Sequence, residues 1–259
     1  LQRIRKDSSL KALVVRIDSP GGSTIASDLI WRELTITKKK LPLVVSMGDL
    51  AASGGYYVAT PAATIVAQPG TLTGSIGIYT GKFAIGGALE KVGAAVDGVS
   101  QGRMAEMNSP VRPFSDEERE RMQEQIQAFY DHFVGLVAES RNLSRERVEE
   151  LAQGRVWTGR QAKDRGLVDE LGGFDRALAL AKKAAGIDED AELELVNYPP
   201  PRGFYESLLH PFGSAEARRQ VLSAFLSDEE QRVLSAVTVP MRLFKRGEPL
   251  ALLPFAVIR

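Results

Sequence analysis

The segment MGDLAASGGYYVATPA, residues 47–62, sets one hydroxyl among the smallest side chains available. Ala51 and Ala52 precede Ser53, and Gly54 and Gly55 follow it. Small neighbours let backbone and substrate come close to the hydroxyl, as a serine nucleophile requires. The Gly54 N–H is adjacent in the chain, where a donor to an oxyanion belongs. The spacing is not the G-x-S-x-G of a nucleophile elbow, yet it answers the same steric demand. A helix N-cap serine with small neighbours fits the local sequence equally well.

Two further segments carry candidate groups. In DSPGGS, residues 18–23, Pro20 stiffens a turn in which Gly21 and Gly22 permit positive φ. Backbone amides of such a turn, just ahead of a helix, suit an oxyanion or a phosphate. A tight strand-to-helix turn is the plainer alternative. In PGTLTGSIGIY, residues 69–79, Thr71, Thr73 and Ser75 surround a glycine. Their hydroxyls could bond an ammonium or orient a bound peptide, or could simply form the turn. Tyr56 and Tyr57 are placed to line an apolar pocket or to pack in the core.

The base is harder to find. The two histidines are His132, on the flank of a long helical pattern, and His210, in a weakly patterned tail. A lysine could serve if burial brought its pKa down from about 10.4 toward neutrality. Lys38–Lys40 form a solvated run, Lys82 follows a glycine in a loop, and Lys91 sits at an exposed helix end. None stands in an obviously apolar setting. Cysteine is absent, which excludes thiol catalysis, disulfides and cysteine metal sites. Positive and negative charges balance at 33 each, which argues against a broad surface for nucleic acid or anionic lipid. No metal or other cofactor is expected.

The elements that must position these groups follow a βαβ rhythm, so the sheet is expected to be largely parallel. ALVVRI (12–17), LVVSM (43–47), TIVAQ (64–68), SIGIY (75–79) and AAVDGVS (94–100) read as strands. A helix from Thr24 to Lys38 would turn Ile25, Leu29, Ile30 and Leu34 inward. Ser115 and Glu118 form a capping box opening a helix over 116–141. A shorter helix follows from Arg145, and two more start at the N-caps Thr158 and Asp175, with Gly166 and Gly186 just past their ends. ELELVNY reads as an edge strand. PPPRG, at 199–203, punctuates the chain before a weakly patterned, helical remainder.

Together these segments resemble the signal peptide peptidase A family, serine–lysine peptidases related in fold to Clp protease and crotonase. The likeness runs over residues 1–190, through LKALVVRIDSPGGS, VSMGDLAASGGYYVATPA, TLTGSIGIY and GRVWTGRQAKDRGLVDELG. It implies an α/β, Clp/crotonase-like domain of repeated β-β-α units over residues 1–198, with a helical C-terminal extension at 199–259. By position, the resemblance makes Ser53 the nucleophile, the backbone of Gly21 and Gly54 the oxyanion donors, and Ser75 the group that orients a lysine. Thr73 and Tyr56 would then meet the substrate. Short members of the family carry the lysine four residues before the serine of an SP pair, and here that position is Ala105.

Two explanations follow for the missing base. The chain resembles the C-terminal half of a tandem-repeat member, in which the upstream repeat donates the lysine; the opening LQRIRKDSSLK, which enters mid-helix, is in keeping with that. Alternatively, alanine replaces lysine in a short form. The resemblance further implies hydrolysis of remnant signal peptides and other apolar peptides through an acyl-enzyme. It also implies a homo-oligomer at the bacterial inner membrane, held there by a segment outside this sequence, with its catalytic part on the extracytoplasmic side. A peptide-binding scaffold that does not cut, and a crotonase-like acyl-CoA enzyme, are the alternatives.

Overall fold

A computed structural model describes residues 1–188, 190–199 and 255–258. Its elements, in order, are α1 (Gln2–Lys6), β1 (Ala12–Ser19), α2 (Thr24–Thr37), β2 (Leu43–Ala52), α3 (Gly54–Ala59), β3 (Thr64–Ala67) and β4 (Leu72–Gly74). There follow α4 (Gly86–Lys91), α5 (Asp116–Arg141), α6 (Arg145–Leu151), β5 (Val156–Thr158), α7 (Gly159–Asp164), β6 (Glu170–Leu171), α8 (Phe174–Ala184), β7 (Leu195–Tyr198) and β8 (Phe255–Ile258). The backbone divides into two compact units, Leu1–Ser75 with Val156–Arg259, and Ile76–Arg155.

The first unit is the expected α/β layer structure. Its sheet runs β5-β4-β2-β1-β8-β7, with β3 beside β2 and β6 beside β3. β2 pairs parallel with β1, β3 and β4, whereas β4–β5, β1–β8 and β7–β8 are antiparallel. β1 and the first half of β2 are near-continuous apolar runs, as suits strands covered on both faces. On one face Ala12, Val14, Val44 and Val66 pack against Ala177 and Ala181 of α8, with Phe174 and Leu178 closing the edge of the cluster. α3 lies so near β1 that a methyl group on Gly55 would stand 2.9 Å from the Ser19 carbonyl oxygen. Tyr57 of α3 meets Trp31 of α2 edge-on, and its hydroxyl donates to Asp28 at 2.8 Å.

The second unit is mainly helical. Ser115 and Glu118 form the expected capping box at the start of α5, and Asn142 ends that helix in the left-handed region with φ 51°. Ser144 caps α6. Arg112 binds the Glu118 carboxylate through its two terminal guanidinium nitrogens, at 2.8 and 2.7 Å, and so ties the loop before α5 to the cap.

Four expectations need correction. SIGIY is not a strand: β4 ends at Gly74, and Gly74 and Ser75, both with positive φ, turn the chain out of the sheet. Residues 94–100 are not a strand either, and Val96 and Val99 are exposed. α8 is capped by Gly173, with Asp175 inside its first turn. Ile25 and Leu29 of α2 face outward, at 73% and 58% exposure, while Ser27 and Leu34 are buried. The serine turned inward lies close against the start of α3: a methyl on Gly54 would stand 2.5 Å from Ser27 Oγ.

ELELVNY does supply an edge strand, β7, beside β8. The sequence predicts a helical extension from residue 199; at Phe255–Ile258 the backbone is instead extended and pairs with β1. Residues 200–254, His210 among them, lie outside the described residues.

Candidate active site

Ser53 stands between the end of β2 and the start of α3, with φ 53° and ψ −119°. A non-glycine residue held there is strained, and the cost, of order 1–3 kcal/mol, is borne by the surrounding structure. Its neighbours hold it by the backbone. The Ser53 N–H donates to the Gly74 carbonyl at 2.8 Å, and Tyr57 N–H returns to the Ser53 carbonyl at 2.9 Å. The side chain is only partly buried and does not cap α3, so the N-cap reading of this serine is set aside. Strand, strained serine, glycine and helix in this order are what a nucleophile elbow requires.

The glycine turn after β1 closes on the same point. Gly21, at φ 101°, sits so close that a methyl group on it would lie 2.7 Å from Gly54 N and 2.8 Å from Ser53 Cβ. Gly22, at φ 146°, places its nitrogen 3.4 Å from where a Gly54 methyl would be. Glycine is thus required at 21 by conformation and at 54 by space. One expectation changes here. The Gly21 N–H already donates to Ser19 Oγ at 3.1 Å, whereas the Gly22 N–H makes no hydrogen bond among the described residues.

Thr73 and Ser75 follow from the pairing of β2 with β4. Ala51 is opposite Thr73 and Ala52 opposite Gly74, so Ser53 and Ser75 are the next residues on two neighbouring strands. Both leave the sheet with positive φ. Thr73 is fully buried and its hydroxyl donates to the Ala51 carbonyl at 2.7 Å, so it braces the strand that carries Ser53 and shows no hydroxyl to a ligand. Tyr56 is likewise fully buried, its hydroxyl donating to the Leu167 carbonyl at 2.8 Å. Its ring is core, and the pocket-lining expectation fails because α3 turns it inward. Tyr57, 1% exposed, is core as well; burial and the Asp28 hydrogen bond push its phenol well above the ordinary value.

Of the remaining candidates, Lys38–Lys40 are exposed at the end of α2 in the first unit, and the others among the described residues belong to the second unit. Ala105 is exposed in the turn before α5, where the short-form lysine would stand. Lys82 donates to the Met107 carbonyl at 2.9 Å and lies 4.2 Å from the centre of the Phe114 ring, so its ammonium braces that loop. His132 is on an exposed face of α5, and Lys91 closes α4. Sequence reasoning missed Asp18 as part of the site's framework, although it is a polar residue inside the apolar strand β1; Thr71, read as a turn or ligand hydroxyl, lies just before β4 and donates to the Gly48 carbonyl.

An α/β sheet that delivers a strained serine and glycine-lined backbone to one point defines the class of serine hydrolases with a strand-to-helix nucleophile. The sequence comparisons narrow this. The profile of peptidase family S49 matches residues 35–188, and the chain belongs to that family. It is 42% identical over 216 residues to the chloroplastic serine protease SPPA of Arabidopsis thaliana, covering 83% of this chain and 32% of that protein. It is 45% identical over 186 residues to protease 4 of Salmonella typhi, covering 71% and 30%. A putative signal peptide peptidase SppA of Enterococcus faecium is 36% identical over 236 residues, covering 91% and 66%. The chain therefore spans about a third of the length of the first two relatives. No helix among the described residues is long and apolar enough to cross a membrane.

Proposed function

We propose that this chain supplies the nucleophile half of a serine peptidase that cleaves apolar peptides, remnant signal peptides among them, through an acyl-enzyme. The observation that carries the reading is Ser53 at φ 53° and ψ −119°, with the backbone of Gly21 and Gly54 packed against it. Ser53 Oγ attacks the scissile carbonyl carbon while its proton passes to a neutral lysine. The tetrahedral anion is held by the Gly54 N–H and by the Gly22 N–H, which is free of the bond that engages Gly21. Gly21 acts through the absence of a side chain. Donors of this kind are each worth about 3 kcal/mol in the transition state. The lysine then protonates the leaving amine, and water releases the acyl group by the reverse path.

The lysine comes from a part of the longer protein outside these residues, and Ser75 orients it. Support for this is the alanine at 105, the engagement of Lys82 by Met107, and the two-thirds of the larger relatives that this chain does not span. Peptide substrates fit the name of the Enterococcus relative. Assembly into a homo-oligomer, and attachment to a bacterial inner membrane with the catalytic part outside the cytoplasm, belong to the same reading.

The test is hydrolysis of an unfolded apolar peptide by the complete protein and by its Ser53→Ala variant. Turnover is expected to fall by at least about a thousandfold, with the melting temperature kept. Unchanged turnover would remove Ser53 from the chemistry, whereas a complete protein that binds the peptide and shows no turnover would favour a scaffold that does not cut.

A further inference from the structure

The strand that delivers Ser53 is broken in register three residues before it gets there. β1 and β2 pair regularly from Leu13↔Leu43 to Ile17↔Met47, and then resume at Ser19↔Ala51. One residue of β1, Asp18, therefore faces three of β2, namely Gly48, Asp49 and Leu50. A bulge of this kind bends and re-aims its strand. Here it also changes the strand's partner. Before it, Val44–Ser46 pair with β3, and after it, Leu50–Ala52 pair with β4.

Side chains from β1 and from the residue just before β4 hold the bulge. From β1, Asp18 Oδ1 accepts the Leu50 N–H at 3.2 Å. The carboxyl fills the gap in the ladder so closely that a methyl on Gly48 would stand 2.8 Å from Asp18 Cγ. From the other side, the Thr71 hydroxyl, on a residue 2% exposed, donates to the Gly48 carbonyl at 2.7 Å and accepts the Gln68 N–H at 3.1 Å. Asp18 is also followed directly by Ser19, whose hydroxyl holds the Gly21 amide. One end of the clamp thus reaches the glycine turn and the other reaches the nucleophile.

We infer that Asp18 and Thr71 are positioning residues: by clamping the bulge at Gly48–Leu50 they set the direction in which β2 presents the Ser53 hydroxyl to the Gly21–Gly22 turn. The inference rests on Ser53 being the nucleophile. Neither side chain touches the substrate in this scheme. Loss of either therefore affects the rate of the chemical step and leaves peptide binding in place.

The experiment measures the rate at which a fluorophosphonate labels Ser53 in the complete protein, together with kcat and KM for an unfolded peptide. Parent, Asp18→Ala, Asp18→Asn, Thr71→Val and Thr71→Ser are compared. An ångström of misplacement costs up to about a hundredfold, so Asp18→Ala and Thr71→Val are expected to label about ten- to a hundredfold more slowly. KM is expected to stay within about twofold of the parent, as for a loss confined to the transition state. Asp18→Asn, which keeps the acceptor, and Thr71→Ser, which keeps the hydroxyl, are expected to return to within about threefold of the parent on the same grounds. If Asp18→Ala does not fold, the Thr71 pair and Asp18→Asn carry the comparison.

Parent-like labelling and kcat in Thr71→Val, or in folded Asp18→Ala, would overturn the inference while leaving Ser53 as the nucleophile. Failure of the conservative variants to recover would overturn it too, since the hydrogen bonds would then not be the cause. A parent that does not label at Ser53 would remove the nucleophile, and the positioning role with it.

Discussion

Around Ser53, distances of a few ångströms decide which residue types are admissible. Gly21 holds φ 101° and has Gly54 N within 2.7 Å of any added methyl group, so conformation and space both demand glycine. Gly21→Ala is expected to cost about 1–3 kcal/mol of stability, as for other strained backbone positions, and to abolish turnover. A lowered urea midpoint with an unchanged slope is the signature, and an unchanged midpoint would contradict the close approach. Much of this was legible in the sequence, because the smallness of residues 51–55 and of the pair at 21–22 is itself the physical requirement. Which amide is free to bind an anion was not legible. That depends on Ser19 Oγ, two residues upstream, which takes the Gly21 N–H and leaves that of Gly22. Nor was the inward turn of Tyr56 and Tyr57, since a tyrosine pair at the start of a short helix fits a pocket as well as a core.

Helix starts fixed by a capping side chain were read correctly, whereas the start of α8, at Gly173 with no side-chain cap, and elements fixed by register were not. The capping boxes at Ser115 and Thr158 are satisfied within four residues, so α5 and α7 start where their sequences say. β2 runs on to Ala52 because β4 receives it beyond the bulge, and no local pattern in LVVSM encodes that partner. The α5 cap makes a pH prediction. The Arg112 guanidinium, with the Ser115 amide, holds the Glu118 carboxyl down to about 2. A carboxyl depressed on folding stabilises above its unfolded pKa, and that contribution is lost as pH falls through the folded value. Melting temperature is therefore expected to drop between about pH 4.5 and about 2 from this group. Glu118→Gln should melt lower than the parent at neutral pH and lose less across that window. Parallel pH profiles for parent and variant, followed by circular dichroism, would contradict the coupling.

At the scale of the whole molecule, the proposal assigns the nucleophile and its anion site to this chain and the base to the remainder of a longer protein. Residues 1–259 alone should then hydrolyse peptides at least about a hundredfold more slowly than the complete protein, as expected when general-base assistance is withheld. Equal rates would place the base within these residues. The most direct test is mass spectrometry of the complete protein after treatment with a fluorophosphonate, in which serine oxygen displaces fluoride from phosphorus. The account predicts a single adduct on Ser53, lost in Ser53→Ala; an adduct on another residue, or none at all in a protein that still cuts peptides, would contradict it.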